Sequence, residues 1–111
     1  MTDVNGKIMD ILGLARRAGK LIMGQDHVFA ELKKREQLLV IVTNDCSKNV
    51  LRSVDAGVER AEVLKIILNN IDRTALGEHL GVRGAQIAAI PMQSGFAKKI
   101  LLLNDRSDAD E

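Results

Sequence analysis

Six consecutive residues, Leu38-Leu39-Val40-Ile41-Val42-Thr43, constrain the fold of this chain more than any other part of its sequence. The run is aliphatic or β-branched throughout, which is typical of a β-strand. Successive side chains of a strand point to opposite faces of a sheet, so an unbroken apolar run needs cover on both faces. The sequence therefore predicts a central strand between two layers of helices.

Helical and strand patterns alternate on both sides of this strand. Apolar residues spaced three and four apart predict helices, and short apolar runs predict strands. The predicted helices cover about residues 5–18, 25–35, 48–57, 73–80 and 94–103, and the further strands cover residues 21–23, 63–68 and 86–91. This alternation predicts an α/β fold, a three-layer α/β/α sandwich around a small, mixed central sheet of about four strands.

Residues 1–103 are predicted to form one domain, and residues 104–111 an acidic, disordered tail. The tail holds four acidic residues and one arginine, and without it the chain has a net charge of +4 instead of +1. A net negative charge and a lack of apolar residues disfavour a packed structure for the tail. The domain itself is mildly basic, which is compatible with a polyanionic partner but does not identify one.

The rarest residue types exclude several functional classes. Phe29 and Phe96 are the only aromatic residues, which argues against binding single strands by base stacking. Cys46 is the only cysteine, so an internal disulfide is excluded and a reducing compartment is expected.

No apolar run reaches the roughly 18 residues of a membrane span, and the first residues show no signal-peptide pattern. We therefore expect a cytoplasmic protein without membrane contact.

Ligands of α/β proteins gather in the loops that leave the carboxyl ends of strands. The loops predicted to do so here are residues 24–27, 43–47, 69–72 and 91–95. A nucleophile and a base are available as Cys46 or Ser47 with His27, but no triad signature accompanies them. Two histidines and one cysteine lack the paired spacing of a metal site, and no glycine-rich nucleotide motif is present. We predict a protein that is not an enzyme and takes no metal, cofactor or small-molecule substrate.

Two glycines mark the stretch best suited to a ligand. Gly19 is predicted to end the first helix and Gly24 to make a tight turn into the second, both positions that favour the backbone freedom of glycine. The second helix then starts with unpaired backbone N–H groups, which attract anions such as nucleic-acid phosphates. Lys20, the polar run Gln25-Asp26-His27 and the loop 81–84 are candidates for the same end of the sandwich. Such a surface suits structured RNA, which is read by shape and phosphate contacts, although solvated turns would show the same pattern.

Four segments carry a more specific pattern, namely Ala15–Gly24, Leu38–Thr43 with Asp45, Ala75–Gly81 and Ala89–Lys99. The spacings Ala-Arg-x-x-Gly-Lys-x-x-x-Gly and Leu-Gly-x-x-Leu-Gly, in this order, resemble the kink-turn RNA-binding ribosomal proteins of the L7Ae and L30e type. Within that family the chain is most similar to the bacterial YlxQ-like branch. The resemblance covers about residues 5–103. It implies an α/β/α fold and a non-enzymatic function with structured RNA, including ribosomal RNA, as the partner.

In that family a Gly-x-Asn-Glu start of the second helix inserts into the kinked RNA, and a lysine follows one turn later. Gly24 matches the glycine and Lys20 an upstream lysine, whereas Asp26, His27 and Ala30 stand where asparagine, glutamate and lysine are expected. An aspartate in place of asparagine replaces an amide donor with an anion, and the missing lysine removes a phosphate contact. We expect weaker binding than in a member with the full motif.

The loop before the last strand places small apolar residues over a flipped base in kink-turn binders. Val82 fits that role, and Arg83 is suited to a phosphate or a base. We therefore predict ten RNA-binding residues, of which Lys33 and Lys34 are peripheral phosphate contacts: Gly24, Gln25, Asp26, His27, Lys20, Val82, Arg83, Gly84, Lys33 and Lys34. The alternative function is a protein-interaction module that has kept the fold without kink-turn specificity and docks on ribosomal or transcription-associated proteins.

Overall fold

Helices and strands alternate along the chain in the predicted order. The computed structural model describes residues 4–34 and 36–109, with side-chain environments as far as residue 105. The elements are α1 (Val4–Arg17), β1 (Ile22–Met23), α2 (Gln25–Lys33), β2 (Leu38–Thr43), α3 (Lys48–Glu59), β3 (Val63–Leu68), α4 (Arg73–Leu80), β4 (Ile87–Pro91) and α5 (Gly95–Ala109). Every predicted element is present, and each end except that of α5 lies within two residues of its predicted position.

The four strands form one mixed sheet in the order β1-β4-β2-β3. β2 runs parallel to β3 and antiparallel to β4, and β1 runs antiparallel to β4. β1, β2 and β3 therefore end at the same side of the sheet, where β4 begins. We call this side the carboxyl edge. The prediction of a mixed, four-stranded sheet is confirmed.

The direction of β4 separates the loop 91–95 from the other three loops that the sequence predicts as ligand sites. Leu38, at the start of β2, pairs with Pro91, at the end of β4. The Met92 N–H donates to the Gln37 carbonyl at 3.0 Å, just before β2 begins. The loop 91–95 thus lies at the side of the sheet opposite the carboxyl edge, because an antiparallel strand ends where its neighbour starts.

The alternating side chains of β2 supply both halves of the core, as its unbroken apolar pattern predicts. Leu39 and Ile41 pack among buried residues of α1, α4 and α5 on one face of the sheet. Val40 and Val42 pack among buried residues of α2 and α3 on the other face. All six residues of β2 are buried. The three-layer α/β/α sandwich is therefore confirmed.

The last helix is longer than predicted. α5 continues to Ala109, so residues 104–109 are helical where a disordered tail is predicted, and Asp110 and Glu111 lie outside the described residues. Acidic composition argues against burial of this segment but not against a helix, since no glycine or proline follows Gly95 to end it. The predicted domain boundary after Leu103 therefore falls inside a helix.

Candidate nucleic-acid interface

The start of α2 differs from the starts of its two neighbours at the carboxyl edge. Ser47 caps α3 by accepting from the Val50 N–H at 3.4 Å, and Asp72 caps α4 by accepting from the Ala75 N–H at 2.8 Å. α2 is preceded instead by Gly24, which has no side chain to cap it. Within the described residues nothing accepts the N–H groups of residues 25–27, and the first hydrogen bond of α2 runs from the Val28 N–H to the Gly24 carbonyl. Its positive dipole end and its free donors are therefore available to an anion.

The backbone of Gly24 directs this helix end outward. Its φ of 88° and ψ of 148° lie in a region that is essentially restricted to glycine. The Gly24 N–H donates to the Ile87 carbonyl at 3.3 Å, which anchors the turn to the start of β4. Gly24 and the next three residues are exposed. The glycine thus combines an anchored backbone with an open helix end.

Gln86 joins three elements at the carboxyl edge, a role that the sequence did not reveal. Its Oε1 accepts from the Ser47 N–H at 2.9 Å, and its Nε2 donates to Gln25 Oε1 at 3.3 Å. Its carbonyl accepts from the Thr43 N–H at 3.0 Å. The only signal in the sequence is a polar residue directly before the apolar strand β4. Gln86 therefore fixes the start of α2 relative to the ends of the central strands.

A second polar connection holds the end of β2 against the start of α4. Asp45 accepts from the Arg73 N–H at 2.9 Å through Oδ1 and from Arg73 Nε at 3.2 Å through Oδ2, while Arg73 Nη2 donates to the Asp45 carbonyl at 2.7 Å. A hydrogen bond from the Thr43 side chain, followed by those from Arg73, lowers the pKa of Asp45 below its ordinary value of 3.8. The Arg73 carbonyl in turn accepts from the Ala85 N–H at 3.1 Å. The pair thus orients the chain segment that leads into β4.

The loop 82–84 lies close against α4 because Gly77 leaves room for it. An added Cβ at Gly77 would stand 2.7 Å from Gly84 Cα and 3.0 Å from the Val82 carbonyl oxygen. The Val82 N–H donates to the Gly77 carbonyl at 2.8 Å. Val82 is partly buried against the core, whereas Arg83 and Gly84 are exposed. The loop therefore presents its basic residue to solvent from a tightly held backbone.

The structure brings part of the predicted RNA-binding set together. Gly24 is hydrogen-bonded to Ile87, and Gln25 to Gln86, so both are connected to the start of β4. Asp26 and His27 lie in the same exposed turn. His27 donates from Nδ1 to the Met23 carbonyl at 2.9 Å, since a carbonyl only accepts. That bond leaves Nε2 of the ring as the nitrogen available to a partner.

Two of the three predicted lysines lie apart from this turn. Lys33 and Lys34 end α2 about 12 Å from its start, at the side of the sheet where β2 begins. Lys34 also pairs with Glu31 at 3.0 Å. Both are therefore peripheral to the helix start. Lys20 follows the glycine that closes α1 and lies within about 14 Å of Gly24.

The pair that a hydrolase would need is not assembled. Cys46 is buried in the core between the sheet and α2 and α3, and burial raises the pKa of its thiol. His27 is exposed and bonded to its own backbone turn, and no described hydrogen bond joins it to Cys46. Among the described residues, no group of three or more His, Cys, Asp or Glu could hold a metal ion. In the same part of the chain, every helix is too short or too polar to cross a bilayer.

The lowered pKa of Asp45 predicts a pH-dependent contribution to stability. A carboxyl whose pKa is lower in the folded state stabilises the fold above its unfolded pKa and loses that contribution as the pH falls through its folded pKa. Asp45→Asn is therefore expected to unfold at a lower temperature than the parent protein at pH 7. The difference should shrink as the pH falls below about 4. Thermal unfolding followed by circular dichroism from pH 7 to pH 3 measures it.

Asp105→Asn is the matched control for that experiment, because Asp105 is exposed and makes none of the described hydrogen bonds. It should unfold like the parent protein at pH 7. A difference in unfolding temperature between Asp45→Asn and the parent protein that stays constant across this pH range would contradict the assigned role of the Asp45 carboxylate.

Solved structures show the same fold. A protein of unknown function from Bacillus halodurans has a TM-score of 0.74 and 25% sequence identity, covering 89% of this chain and 97% of that chain. The 15.5 kD RNA binding protein of Giardia lamblia also has a TM-score of 0.74 but only 12% identity, covering 98% of this chain and 92% of its own. At such low identity the second likeness concerns the fold alone.

Sequence relatives lead to the family. The RNA-binding protein YlxQ of Bacillus subtilis is 32% identical over 96 residues, which span 86% of this chain and 92% of the relative. The RNA-binding protein YlxQ of Enterococcus faecium is 42% identical over 48 residues, 43% of this chain and 47% of the relative. The model of the ribosomal protein L7Ae/L30e/S12e/Gadd45 family matches residues 6–101, nearly the whole sandwich. The chain therefore belongs to the ribosomal protein L7Ae/L30e/S12e/Gadd45 family.

Proposed function

We propose that this chain is a non-enzymatic, cytoplasmic RNA-binding protein that docks the start of α2 and the loop 82–84 on structured RNA. The observation that carries the proposal is the uncapped, exposed start of α2 at the carboxyl edge. The RNA-binding protein YlxQ of Bacillus subtilis, a relative that matches 86% of the chain, supports the same function. The preferred RNA is a kink-turn, ribosomal or other, as the family resemblance implies.

The chemistry of the carboxyl edge fits an RNA backbone. Free amide donors and the helix dipole favour a phosphate at the start of α2. Arg83 supplies an exposed positive charge from the loop 82–84. With aromatic residues limited to Phe29 and Phe96, which pack partly buried against the core, base stacking contributes little. The surface is therefore suited to a folded RNA, whose shape and backbone it follows.

A titration with two RNAs tests the proposal. One is a hairpin that contains a kink-turn, and the other is an unkinked duplex hairpin of the same length and charge. At low salt we expect the kink-turn hairpin to bind more tightly, because electrostatic attraction to the phosphates is common to both and only shape differs. Equal affinity for the two RNAs would refute kink-turn recognition, and binding to neither would refute RNA binding at the carboxyl edge.

The alternative of a protein-interaction module predicts a different outcome. Ribosomal or transcription-associated proteins that stay bound after ribonuclease treatment, together with no affinity for either hairpin, would favour that alternative. Loss of the bound material on treatment agrees with the RNA-binding proposal.

Arg83→Ala is expected to weaken binding to both hairpins by a similar factor and to lower the slope of log affinity against log salt by about 1. The reason is that an exposed arginine on the loop neutralises a phosphate without reading sequence. Lys98→Ala removes the same charge from the exposed first turn of α5, at the side of the sheet opposite the carboxyl edge. It should leave the affinity and the slope unchanged. Binding isotherms at four salt concentrations make the comparison, and equal effects of the two variants would contradict the proposed docking surface.

A further inference from the structure

The outer edge of β3 has no neighbouring strand within the described part of the chain, since β3 is the last strand of the sheet and pairs with β2 on its inner side. The Leu38 N–H donates to the Glu62 carbonyl at 3.0 Å, and parallel strands bond through alternate residues, so the even-numbered residues of β3 face β2. The backbone N–H and C=O groups of its odd-numbered residues therefore face outward. Val63 is only 3% exposed, which leaves Lys65 and Ile67 with backbone groups open to a further strand.

The side chains along this edge do not close it. A lysine on an edge strand often prevents pairing with another chain. The Lys65 ammonium, however, lies 2.6 Å from a carboxylate oxygen of Asp55 on α3, so it is held over one face of the sheet and its charge is matched. The aliphatic residues Leu64 and Ile67 are 47% and 44% exposed. The edge thus combines unpaired backbone groups with uncovered apolar side chains.

A cavity of about 370 Å³ lies at the start of β3. Its apolar lining includes Val58 of α3, Leu64 of β3 and Met92, directly after β4. This volume is at the small end of the range for ligand pockets, which suits one large apolar side chain rather than a larger ligand. A strand that runs antiparallel to β3 along its outer edge brings its C-terminal end to this cavity.

A second copy of this chain does not match both the edge and the cavity. Two β3 strands related by a two-fold axis can pair their open residues in three registers. Lys65 opposite Lys65 brings like charges together, which is unfavourable. Lys65 opposite Ile67 places the polar Asn69 opposite Val63, beside the cavity. Ile67 opposite Ile67 leaves Lys65 unpaired, because the partner strand ends at Leu68.

We infer that the outer edge of β3 binds an extended segment of a partner protein, which adds a fifth strand antiparallel to β3 and inserts a large apolar side chain near its C-terminal end into the cavity. A row of alternating N–H and C=O groups is matched by the backbone of another strand. In this mode of recognition the main-chain hydrogen bonds supply affinity and the side-chain cavity supplies specificity. Antiparallel pairing is the more stable of the two directions.

The two docking surfaces lie at opposite ends of the sheet. The start of α2 is bonded to the start of β4, and β2 lies between β4 and β3. RNA at the carboxyl edge therefore leaves the outer edge of β3 free. The inference assigns this chain a protein contact in addition to RNA and does not depend on the proposed function.

The probe is a synthetic peptide, chosen as the strongest binder of the parent protein from a phage-displayed library of random short peptides. We expect the selected peptides to alternate β-branched residues and to carry a large apolar residue near the C-terminal end. Amide hydrogen exchange is then measured with and without the peptide. The amides of Lys65 and Ile67 should exchange about tenfold more slowly in the complex. The amides of Leu64 and Ile66 already face β2 and serve as the internal reference.

Two pairs of variants test the backbone contact and the cavity separately. Ile67→Pro removes one outward N–H, a change that an edge strand tolerates, and should weaken binding of the peptide about tenfold. Ile67→Val keeps the N–H and should bind like the parent protein. Val58→Asp places a charge in the cavity and should also weaken binding about tenfold. Leu14→Asp changes an apolar residue on α1 that is 50% exposed and should have no effect.

Several outcomes would overturn the inference. They are a library without enriched peptides, peptides that protect neither Lys65 nor Ile67, equal binding by Ile67→Pro and Ile67→Val, and protection of these two amides by the kink-turn hairpin. A dimer of the parent protein in analytical ultracentrifugation that Ile67→Pro abolishes would assign the edge to a second copy instead. If Ile67→Pro does not fold, hydrogen exchange of the parent protein and the Val58→Asp comparison decide. Ile67→Pro, where folded, should bind the kink-turn hairpin like the parent protein, so failure of this inference leaves RNA binding intact.

Discussion

Gly24→Ala is expected to reduce the affinity for the kink-turn hairpin by roughly tenfold or more. We expect no other added methyl group on this surface to reduce the affinity as much. Nothing lies within 4 Å of the added Cβ, so crowding plays no part. The cost arises from the backbone, since a φ of 88° with a ψ of 148° is strained by about 1–3 kcal/mol for any residue other than glycine. Relief of that strain turns the peptide, which breaks the bond from Gly24 to Ile87 and redirects the free amides of α2.

Gly19→Ala is the matched control for this prediction. Gly19 has a φ of 73° and also has open space around its Cβ position, but it ends α1. Urea unfolding should show a comparable loss of stability in both variants, whereas only Gly24→Ala should lose RNA affinity in the titration. Equal RNA affinity of the two variants would contradict the role of the α2 start.

Gly77→Ala is expected to disturb the loop 82–84 and to weaken RNA binding severalfold, with a loss of stability of about 1–3 kcal/mol. The added Cβ would lie 2.7 Å from Gly84 Cα and 2.9 Å from the Gly84 nitrogen, so backbone must move. Displacement of Gly84 should carry Arg83 away from its position in the proposed interface. The titration with the kink-turn hairpin and urea unfolding measure the two effects.

Gly57→Ala is the control that distinguishes a loss of stability caused by crowding from a loss of RNA binding. Its Cβ would lie 2.7 Å from Val63 Cγ2, a side-chain atom in a part of the core away from the carboxyl edge. This variant should lose stability but retain RNA affinity. If Gly77→Ala also retained full affinity, the loop would have no part in the interface.

Local patterns were sufficient to predict the layers of the fold and the two glycine turns on either side of β1. The apolar run of β2 requires cover on both faces of the sheet. Two separate groups of helices cover these faces in the structure. Gly19 and Gly24 adopt backbone angles that other residues avoid, which is why a single sequence marks both turns. The start of α2 could therefore be named as the candidate site from the sequence.

Features that depend on distant residues could not be predicted in this way. The direction of β4 is set by pairing with β2 across the sheet, and no local pattern distinguishes a parallel from an antiparallel partner. Gln86 acts on Gln25 over a separation of 61 residues, and Asp45 acts on Arg73 over 28.

Amide chemical-shift mapping with the kink-turn hairpin identifies the part of the protein that contacts the RNA. We expect the largest changes at the backbone amides of residues 25–27, followed by those of residues 82–84, since these groups face the RNA in the proposed complex. The amides of Lys33 and Lys34, at the other end of α2, should change little. Changes concentrated at that far end, or spread evenly over the surface without a maximum at the start of α2, would contradict the account.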